Sequence, residues 1–325
     1  MKALLLHEAG KWRDMEVHDI PKPEPNTNEV LVRIEAAGLN PVDYKVATNG
    51  HPEWTYPHIL GVDGAGIVEN VGSDVSEVQP GDRVVYHGNM IKQGNFAEFT
   101  VVPSHTVSVI PETVSFEDAV ALPCAGYTAY QSLFRKMMLE AGQTILIHAG
   151  AGGVGGFAIQ LAKYAGLHVI TTASSENHEY VYQLGADEVI DYKEQDFVEK
   201  TLELTEGLGV HAVLDTVGPE NATRSIETLA FNGHIAFIAG APDITSNIDF
   251  KRALSFHQVA LGGAHMVNNL HQQRDLARMG NEMLELLSEG HINSLVEDII
   301  SLEDVPEGLN RLASRHVRGK IVAKP

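Results

Sequence analysis

Apolar positions along this chain change their period near its middle. In the first third they alternate with polar residues in short runs, at 30–37 (VLVRIEAA), 66–71, 83–86 and 96–102, separated by Pro- and Gly-bearing turns such as PKPEP and QPGDR. A period of two broken by frequent turns predicts an irregular, mostly antiparallel β domain over residues 1–122. A connecting helix is expected over 125–138. Beyond it, strand-like and helix-like patterns alternate: 144–148, 153–165, 168–172, 177–184, 188–191, 195–204, 212–215, 222–229, 234–239 and 259–262. This alternation predicts a doubly wound parallel sheet over residues 123–263. The tail carries a long amphipathic helix at 272–289, a strand at 297–301, a helix at 305–314 and a last strand at 320–323.

The most informative stretch is 144–174, TILIHAGAGGVGGFAIQLAKYAGLHVITTAS, which reads as strand, glycine turn, helix and strand. Gly150, Gly152 and Gly155 satisfy G-x-G-x-x-G, and Ala149, Gly152 and Gly155 satisfy A-x-x-G-x-x-G. Such a turn must leave a strand sharply, admit a pyrophosphate to the backbone and pack a helix closely on the sheet. Val154, Phe157, Ala158, Leu161 and Ala162 give that helix one apolar face. Its first turn, Ala151, Gly152, Gly153 and Val154, therefore directs free N–H groups and the positive dipole end at an anion. The plainer alternative is a tight turn without a ligand. The flanking β-branched strands favour dinucleotide binding.

Composition narrows the classes. The chain has 325 residues, 44% hydrophobic and 20% charged, as in an ordinary globular enzyme. No apolar run approaches the ~20 residues of a membrane helix, and MKALLLHEAGKW is too short in apolar residues for a signal peptide, so a cytoplasmic location is expected. The single cysteine, Cys124, excludes an intrachain disulfide framework. It reads as a small buried residue, with no basic partner flanking it. A net charge of −20 disfavours nucleic acid. The 16 histidines are scattered, without metal spacing.

Several segments carry a resemblance in the same order along the whole chain: AAGLNPVDYK (36–45), GVDGAGIVENVG (61–72), QPGDRV (79–84), ALPCAGYTAYQSL (121–133), AGAGGVGGFAIQLAK (149–163), LGADEVIDY (184–192), DTVG (215–218) and RGKIV (318–322). Together they resemble the zinc-free, quinone oxidoreductase-like branch of the medium-chain dehydrogenase/reductase superfamily. The resemblance implies a GroES-like catalytic domain built from both chain ends (1–122 and 264–325) and a Rossmann domain between them, with the active site in a cleft at their junction. It also implies a homodimer paired through the last Rossmann strand, for which 258–262 is the candidate. At the positions of the zinc ligands of metal-dependent relatives stand Asn40 and Val62. Neither an amide nor an isopropyl group replaces thiolate or imidazole, so no metal is expected.

The second strand ends in Thr172, Ala173, Ser174 and Ser175, without the acid that holds a ribose 2′-hydroxyl, which favours NADPH over NADH. By the resemblance, Ser174, Tyr192 and Arg315 hold the 2′-phosphate. Asn177 stands where the family has a lysine, and Glu176 beside it adds an opposing charge. The same comparison places Val217, Ala239 and Gly240 along the nicotinamide half, with Thr128 and Gly263 near it. Without metal, reduction of an activated carbonyl needs donors aimed at the oxygen that gains charge. The loop 40–45 supplies Asn40, Tyr44 and Lys45, and Tyr56 is a further donor or aromatic wall. Equally, Asn40 and Asp43 could bond backbone around Pro41, with Asp63 ordering the loop. The expected activity is hydride transfer from NADPH to a quinone or α,β-unsaturated carbonyl. Reduction of simple ketones or aldehydes, or a redox sensor that binds NADPH with little catalysis, are the alternatives.

Overall fold

The computed structural model describes residues 1–245, 250–267, 269–315 and 317–325. The chain folds into two compact units, one of Met1–Tyr127 with Gly262–Pro325 and one of Thr128–Leu261.

The first unit is built on a seven-stranded sheet. Along it lie Val296–Ser301, Lys320–Lys324, Glu29–Gly38, Asp63–Val71, Arg83–His87 and Ser108–Val109, with Phe99–Pro103 also paired to Glu29–Gly38. Every pairing is antiparallel except that of Val296–Ser301 with Lys320–Lys324. The C-terminal strand thus completes a sheet begun near the N-terminus, with Val322 opposite Gly38. Its alternating apolar residues bury Val30, Val32, Val84, Tyr86, Ile321 and Ala323 in one core. The long helix of the tail is Leu270–Ser288, capped at Asn269.

The second unit is a six-stranded parallel sheet. Its strands lie in the order Glu188–Asp191, His168–Ala173, Thr144–Ile147, Val210–Asp215, Leu229–Phe237 and Ser255–Gln258. The central strands bury Ile145, Leu146, Ile147, Val213 and Leu214 completely, as a parallel sheet covered on both faces requires. Together the two units give the expected architecture, a GroES-like β unit and a doubly wound Rossmann-type sheet.

Four local expectations change. The last Rossmann strand is Ser255–Gln258, not 259–262. A strand needs a partner, and the neighbouring strand ends at Phe237 opposite Gln258, so the apolar run after it becomes a turn that buries Val259 and Leu261. The helix expected at 125–138 is a run of turns, Leu122–Tyr127, Thr128–Tyr130 and Gln131–Met137, of which the first and last have the wider π-type hydrogen bonding. The helix expected at 222–229 is Pro219–Ser225 with a 3-10 turn after it, and Leu229 already belongs to the next strand. Residues 41–45 are not a loop but open the helix Pro41–Asn49. Pro41 suits the first helical position because its missing N–H would have no partner there.

Candidate functional site

In the parallel sheet the strand order reverses between Thr144–Ile147 and Val210–Asp215, and ligands of such sheets bind beyond the strand ends at that point. Two loops meet there, the glycine turn after Ile147 and Asp215–Thr216–Val217–Gly218. A Cβ on Gly150 would collide with Thr171 Oγ1, and one on Gly155 with the Ala149 carbonyl. These two glycines serve the packing of turn, strand and helix. Gly152 differs: its Cβ would meet only the Ala149 oxygen, at an ordinary 3.4 Å. It stands at the N-cap of the helix Gly153–Tyr164, which no side chain caps, and Ala151, Gly152, Gly153 and Val154 are all partly exposed. The helix therefore turns uncapped N–H groups outward past a residue without a side chain, as an anion site requires.

The second loop is held by Asp215, whose Oδ1 accepts from the N–H groups of Val217 and Gly218 at 3.0 Å each. Its Oδ2 accepts from Asn221 Nδ2 at 2.6 Å. Burial raises this carboxyl above its ordinary range against those hydrogen bonds. Val217 remains 45% exposed. Gly240, after the next strand, has φ 127°. There a Cβ would also press on Pro219, and Ala239 beside it is partly exposed.

At the end of the second strand, Ser174 is buried and its Oγ accepts from Asn177 Nδ2 at 3.2 Å. Glu176 pairs with Lys193 Nζ at 3.4 Å. Its own N–H and the Ser174 hydroxyl hold its carboxyl below the usual range, and Lys193 acts in the same direction. Lys193 follows the exposed Tyr192. The structure thus brings a lysine to this cluster that local sequence did not reveal, because it arrives from a different strand end. Thr128 is buried. Gly263 and Arg315 belong to the other unit, Gly263 opening the short helix Gly263–Met266 and Arg315 exposed at φ 60°.

The first unit contains its own buried polar cluster. Asn40 donates its side-chain N–H groups to the Gly38 carbonyl at 3.2 Å and to Asp63 Oδ2 at 2.7 Å. Its Oδ1 accepts from Lys320 Nζ at 2.5 Å. Lys320, only 3% exposed, also donates to the Leu39 carbonyl at 3.2 Å and lies 3.7 Å from Asp63 Oδ2. Asp63 Oδ1 accepts from the Cys124 N–H at 3.0 Å. Asp43 accepts from the N–H groups of Asn40 at 2.8 Å and Val62 at 3.1 Å. His87 and His265 stack beside this cluster with ring centroids 5.5 Å apart, and His265 Nε2 lies 3.0 Å from the His87 carbonyl.

Burial is the largest influence on both carboxyls, lifting Asp43 to about 7 and Asp63 to about 6 from an ordinary 3.8. The Asn40 N–H opposes it at Asp43, and the Lys320 ammonium at Asp63. Folded-state values above the unfolded ones mean that the folded protein holds the extra protons. The stability they contribute is complete below the unfolded value and is lost as pH rises through about 6 and about 7. Burial also lowers His58 to about 4 and His87 and His148 to about 3 from 6.5, and shifts His234, His257 and His265 in the same direction, so these histidines act with the opposite sign and add stability as pH rises through about 6.5. Asp43→Asn, which cannot ionise, removes one of these opposing contributions, so the urea midpoint of the variant is expected to rise relative to that of wild type between about pH 6 and about pH 8. An equal slope in the variant would count against the assignment.

The remaining expected donors lie apart from this hydrogen-bonded cluster. Tyr44 packs its ring 5.7 Å from that of Trp12. Lys45, on the same helix, is exposed. Tyr56 is 41% exposed and meets Trp54 edge-on. Cys124 is partly exposed, and burial and the Asp63 carboxylate push its thiol well above its ordinary value, which fits an unreactive residue. Lys320 and His87 were missed from sequence. The only local signal was a charged residue opening the otherwise apolar strand KIVA.

A parallel sheet with an open glycine turn at its switch point, carried by a chain whose two ends build a separate β unit, defines a two-domain dehydrogenase-type oxidoreductase. Comparisons agree. Residues 26–112 match the alcohol dehydrogenase GroES-like domain family, and residues 153–287 match the zinc-binding dehydrogenase family. A quinone oxidoreductase of Pseudomonas aeruginosa is 32% identical over 317 residues, covering 96% of this chain and 95% of that one. The crystal structure of a Pseudomonas syringae quinone oxidoreductase superposes with a TM-score of 0.89 at 30% identity, covering 100% of this chain and 99% of that one. That of Escherichia coli quinone oxidoreductase complexed with NADPH superposes with a TM-score of 0.88 at 28% identity, covering 100% of both. The chain belongs to the medium-chain dehydrogenase/reductase superfamily, among its quinone oxidoreductase-like members, and is an oxidoreductase.

One of those family descriptions implies zinc, and one donor set comes near to what a zinc ion needs. Asp63, His87 and Cys124 bring potential ligand atoms within 4.8 Å of one another. Both Asp63 oxygens, however, already accept hydrogen bonds, and the Lys320 ammonium lies 3.7 Å from one of them. A divalent cation would have to sit beside that buried ammonium or displace it. These residues therefore do not fit a zinc ion. Among the described residues, no helix is long and apolar enough to cross a membrane.

Proposed function

We propose that this protein is an NADPH-dependent, zinc-independent reductase of quinones or α,β-unsaturated carbonyl compounds, with residues 128–261 as an inserted cofactor domain. The observation that carries the reading is Gly152, a glycine that packing does not demand, standing at an uncapped helix N-terminus at the switch point. When bound, the nicotinamide supplies the hydride. The chain supplies the rest. The turn Ala151–Gly152–Gly153–Val154 offers N–H groups to the pyrophosphate, and Val217, Ala239 and Gly240 offer a low surface for the nicotinamide half. Thr128, Gly263 and Arg315 keep their proposed places in cofactor binding.

Preference for NADPH is supported by the neutral end of the second strand and by Lys193. Ser174, Asn177 and Tyr192 are the polar groups around a 2′-phosphate there, and Lys193 supplies the cation that Asn177 lacks. Lys193→Met is expected to lower the NADPH-to-NADH ratio of kcat/KM about fivefold, and Glu176→Gln to raise it by a similar factor, since each changes one charge near the phosphate. An unchanged ratio in both variants would remove Lys193 from the site.

For the substrate oxygen, Asn40 is a positioning group, since both its donors are engaged within the protein. Lys45 and Tyr56, both exposed residues, are the proposed donors, with Tyr44 as a neighbour on the Lys45 helix. The test is cofactor oxidation with 9,10-phenanthrenequinone, 1,4-benzoquinone and small enones, by wild type and by Lys45→Ala with Tyr56→Phe. Turnover of these, retained after chelation, supports the reading. Tight NADPH binding without turnover supports a sensor instead, and turnover of simple ketones alone supports the carbonyl reductase. We also propose a homodimer through the edge strand Ser255–Gln258, which among the described residues pairs on one side only. Sedimentation at a single-chain 35.3 kDa would reject it.

A further inference from the structure

We propose that His148 is a positioning residue that clamps the two loops of the switch point together, through a hydrogen-bond relay running from the glycine turn to the loop Asp215–Thr216–Val217–Gly218. The inference rests on the reading of those loops as the dinucleotide site.

The relay can be followed atom by atom. On the glycine-turn side, the Ala149 N–H donates to Thr172 Oγ1 at 3.1 Å, and Thr172 Oγ1 lies 3.2 Å from His148 Nδ1. On the other side, His148 Nε2 lies 2.9 Å from Ser225 Oγ, and the Ser225 hydroxyl donates to the Asn221 carbonyl at 2.8 Å. Asn221 in turn donates to Asp215 Oδ2 at 2.6 Å, and Asp215 Oδ1 gathers the N–H groups of Val217 and Gly218. The backbone of His148 repeats the connection. Its N–H donates to the Leu214 carbonyl at 3.1 Å, and its carbonyl accepts from Thr216 Oγ1 at 3.0 Å.

Proton counting assigns the tautomer. The single hydrogen of Ser225 Oγ goes to Asn221, so Ser225 can only accept from the imidazole, and His148 carries its proton on Nε2. Nδ1 is then the acceptor, and the Thr172 hydroxyl donates to it while accepting from Ala149. Every group in the chain is satisfied by a neutral ring, and such fully paired buried networks specify one arrangement. Only 1% exposed, the ring stands edge-on to Phe197 with centroids 4.7 Å apart. Burial, with the Arg224 charge acting in the same direction, lowers its proton affinity to about 3 from 6.5. The ring stays neutral over the working range.

A clamp differs from general support of the fold in what it does to ligands of different reach. A dinucleotide spans both loops, whereas 2′,5′-ADP reaches the second strand and the glycine turn but not Val217 or Gly218. In His148→Phe, the dissociation constant of NADPH is expected to rise about tenfold and that of 2′,5′-ADP to stay within about twofold, by fluorescence titration and calorimetry. Ser225→Ala, which removes one hydroxyl from the far side of the relay, is expected to shift the same ratio about threefold and covers the case in which His148→Phe does not fold. His148→Gln, which can still donate towards Ser225, should recover part of the NADPH affinity. Parallel loss of both ligands, or loss of neither, would overturn the clamp while leaving the cofactor reading intact. A wild-type protein that binds 2′,5′-ADP and NADPH not at all would overturn that reading, and the clamp with it.

Discussion

Lys320→Met is expected to destabilise the protein by about 3–5 kcal/mol, the usual result of removing one partner of a buried ion pair. The ammonium is 3% exposed and holds Asn40 Oδ1, the Leu39 carbonyl and, at 3.7 Å, Asp63. Methionine fills much of the volume but leaves both oxygen acceptors without a donor and Asp63 without its cation. The carboxyls of Asp43 and Asp63, already lifted by burial, would then take up protons more readily still. The deficit is therefore expected to be largest near pH 8 and to shrink near about pH 5, where protonated carboxyls need no cation. Urea denaturation of Lys320→Met and of Lys320→Met with Asp63→Asn measures it. The double variant should recover part of the loss, because the second change removes the uncompensated charge. A single variant as stable as wild type at pH 8 would mean that Lys320 is not what balances this cluster.

Gly152→Asp is expected to separate folding from binding. Its Cβ has room, and aspartate is among the preferred residues at a helix N-cap, where its carboxylate accepts from the uncapped N–H groups and meets the positive dipole end. The melting temperature should hold or rise. The same carboxylate occupies and repels the proposed pyrophosphate position, so NADPH affinity should fall at least about a hundredfold, or about 2.7 kcal/mol. Gly150→Ala is the contrast, since its methyl meets Thr171 Oγ1 on the adjacent strand, and it should cost about 1–3 kcal/mol of stability. Differential scanning calorimetry with cofactor titration reads both effects. If Gly152→Asp bound NADPH as wild type does, the glycine turn would not be the pyrophosphate site.

The two glycine variants also show how far the motif could be read from sequence. G-x-G-x-x-G marks three positions alike. Only the neighbours reveal that Gly150 and Gly155 answer to Thr171 and Ala149 while Gly152 would meet no more than the Ala149 oxygen, at an ordinary 3.4 Å. Likewise Ser174 and Asn177 were visible because they lie in one short segment, but Lys193 joins Glu176 through the next strand end. His148 is a third case. In sequence it is one histidine at the end of an apolar strand, and its partners Thr172 and Ser225 come from a different strand and a helix.

By itself the sequence determined the period of each segment, and with it the mostly antiparallel β unit, the parallel alternating unit and the strand–turn–helix at residues 144–174. These are local matters, set by which side chains can be buried on one face and where glycine lets the backbone turn. Tertiary structure alone decided which strand end a run could reach, moving the last strand to Ser255–Gln258 because its partner stops at Phe237. It alone turned Asn40 from a free donor into the partner of Asp63 and Lys320, residues from three distant parts of the chain. Buried polar groups must find partners wherever the fold brings them, and sequence spacing carries no record of that meeting.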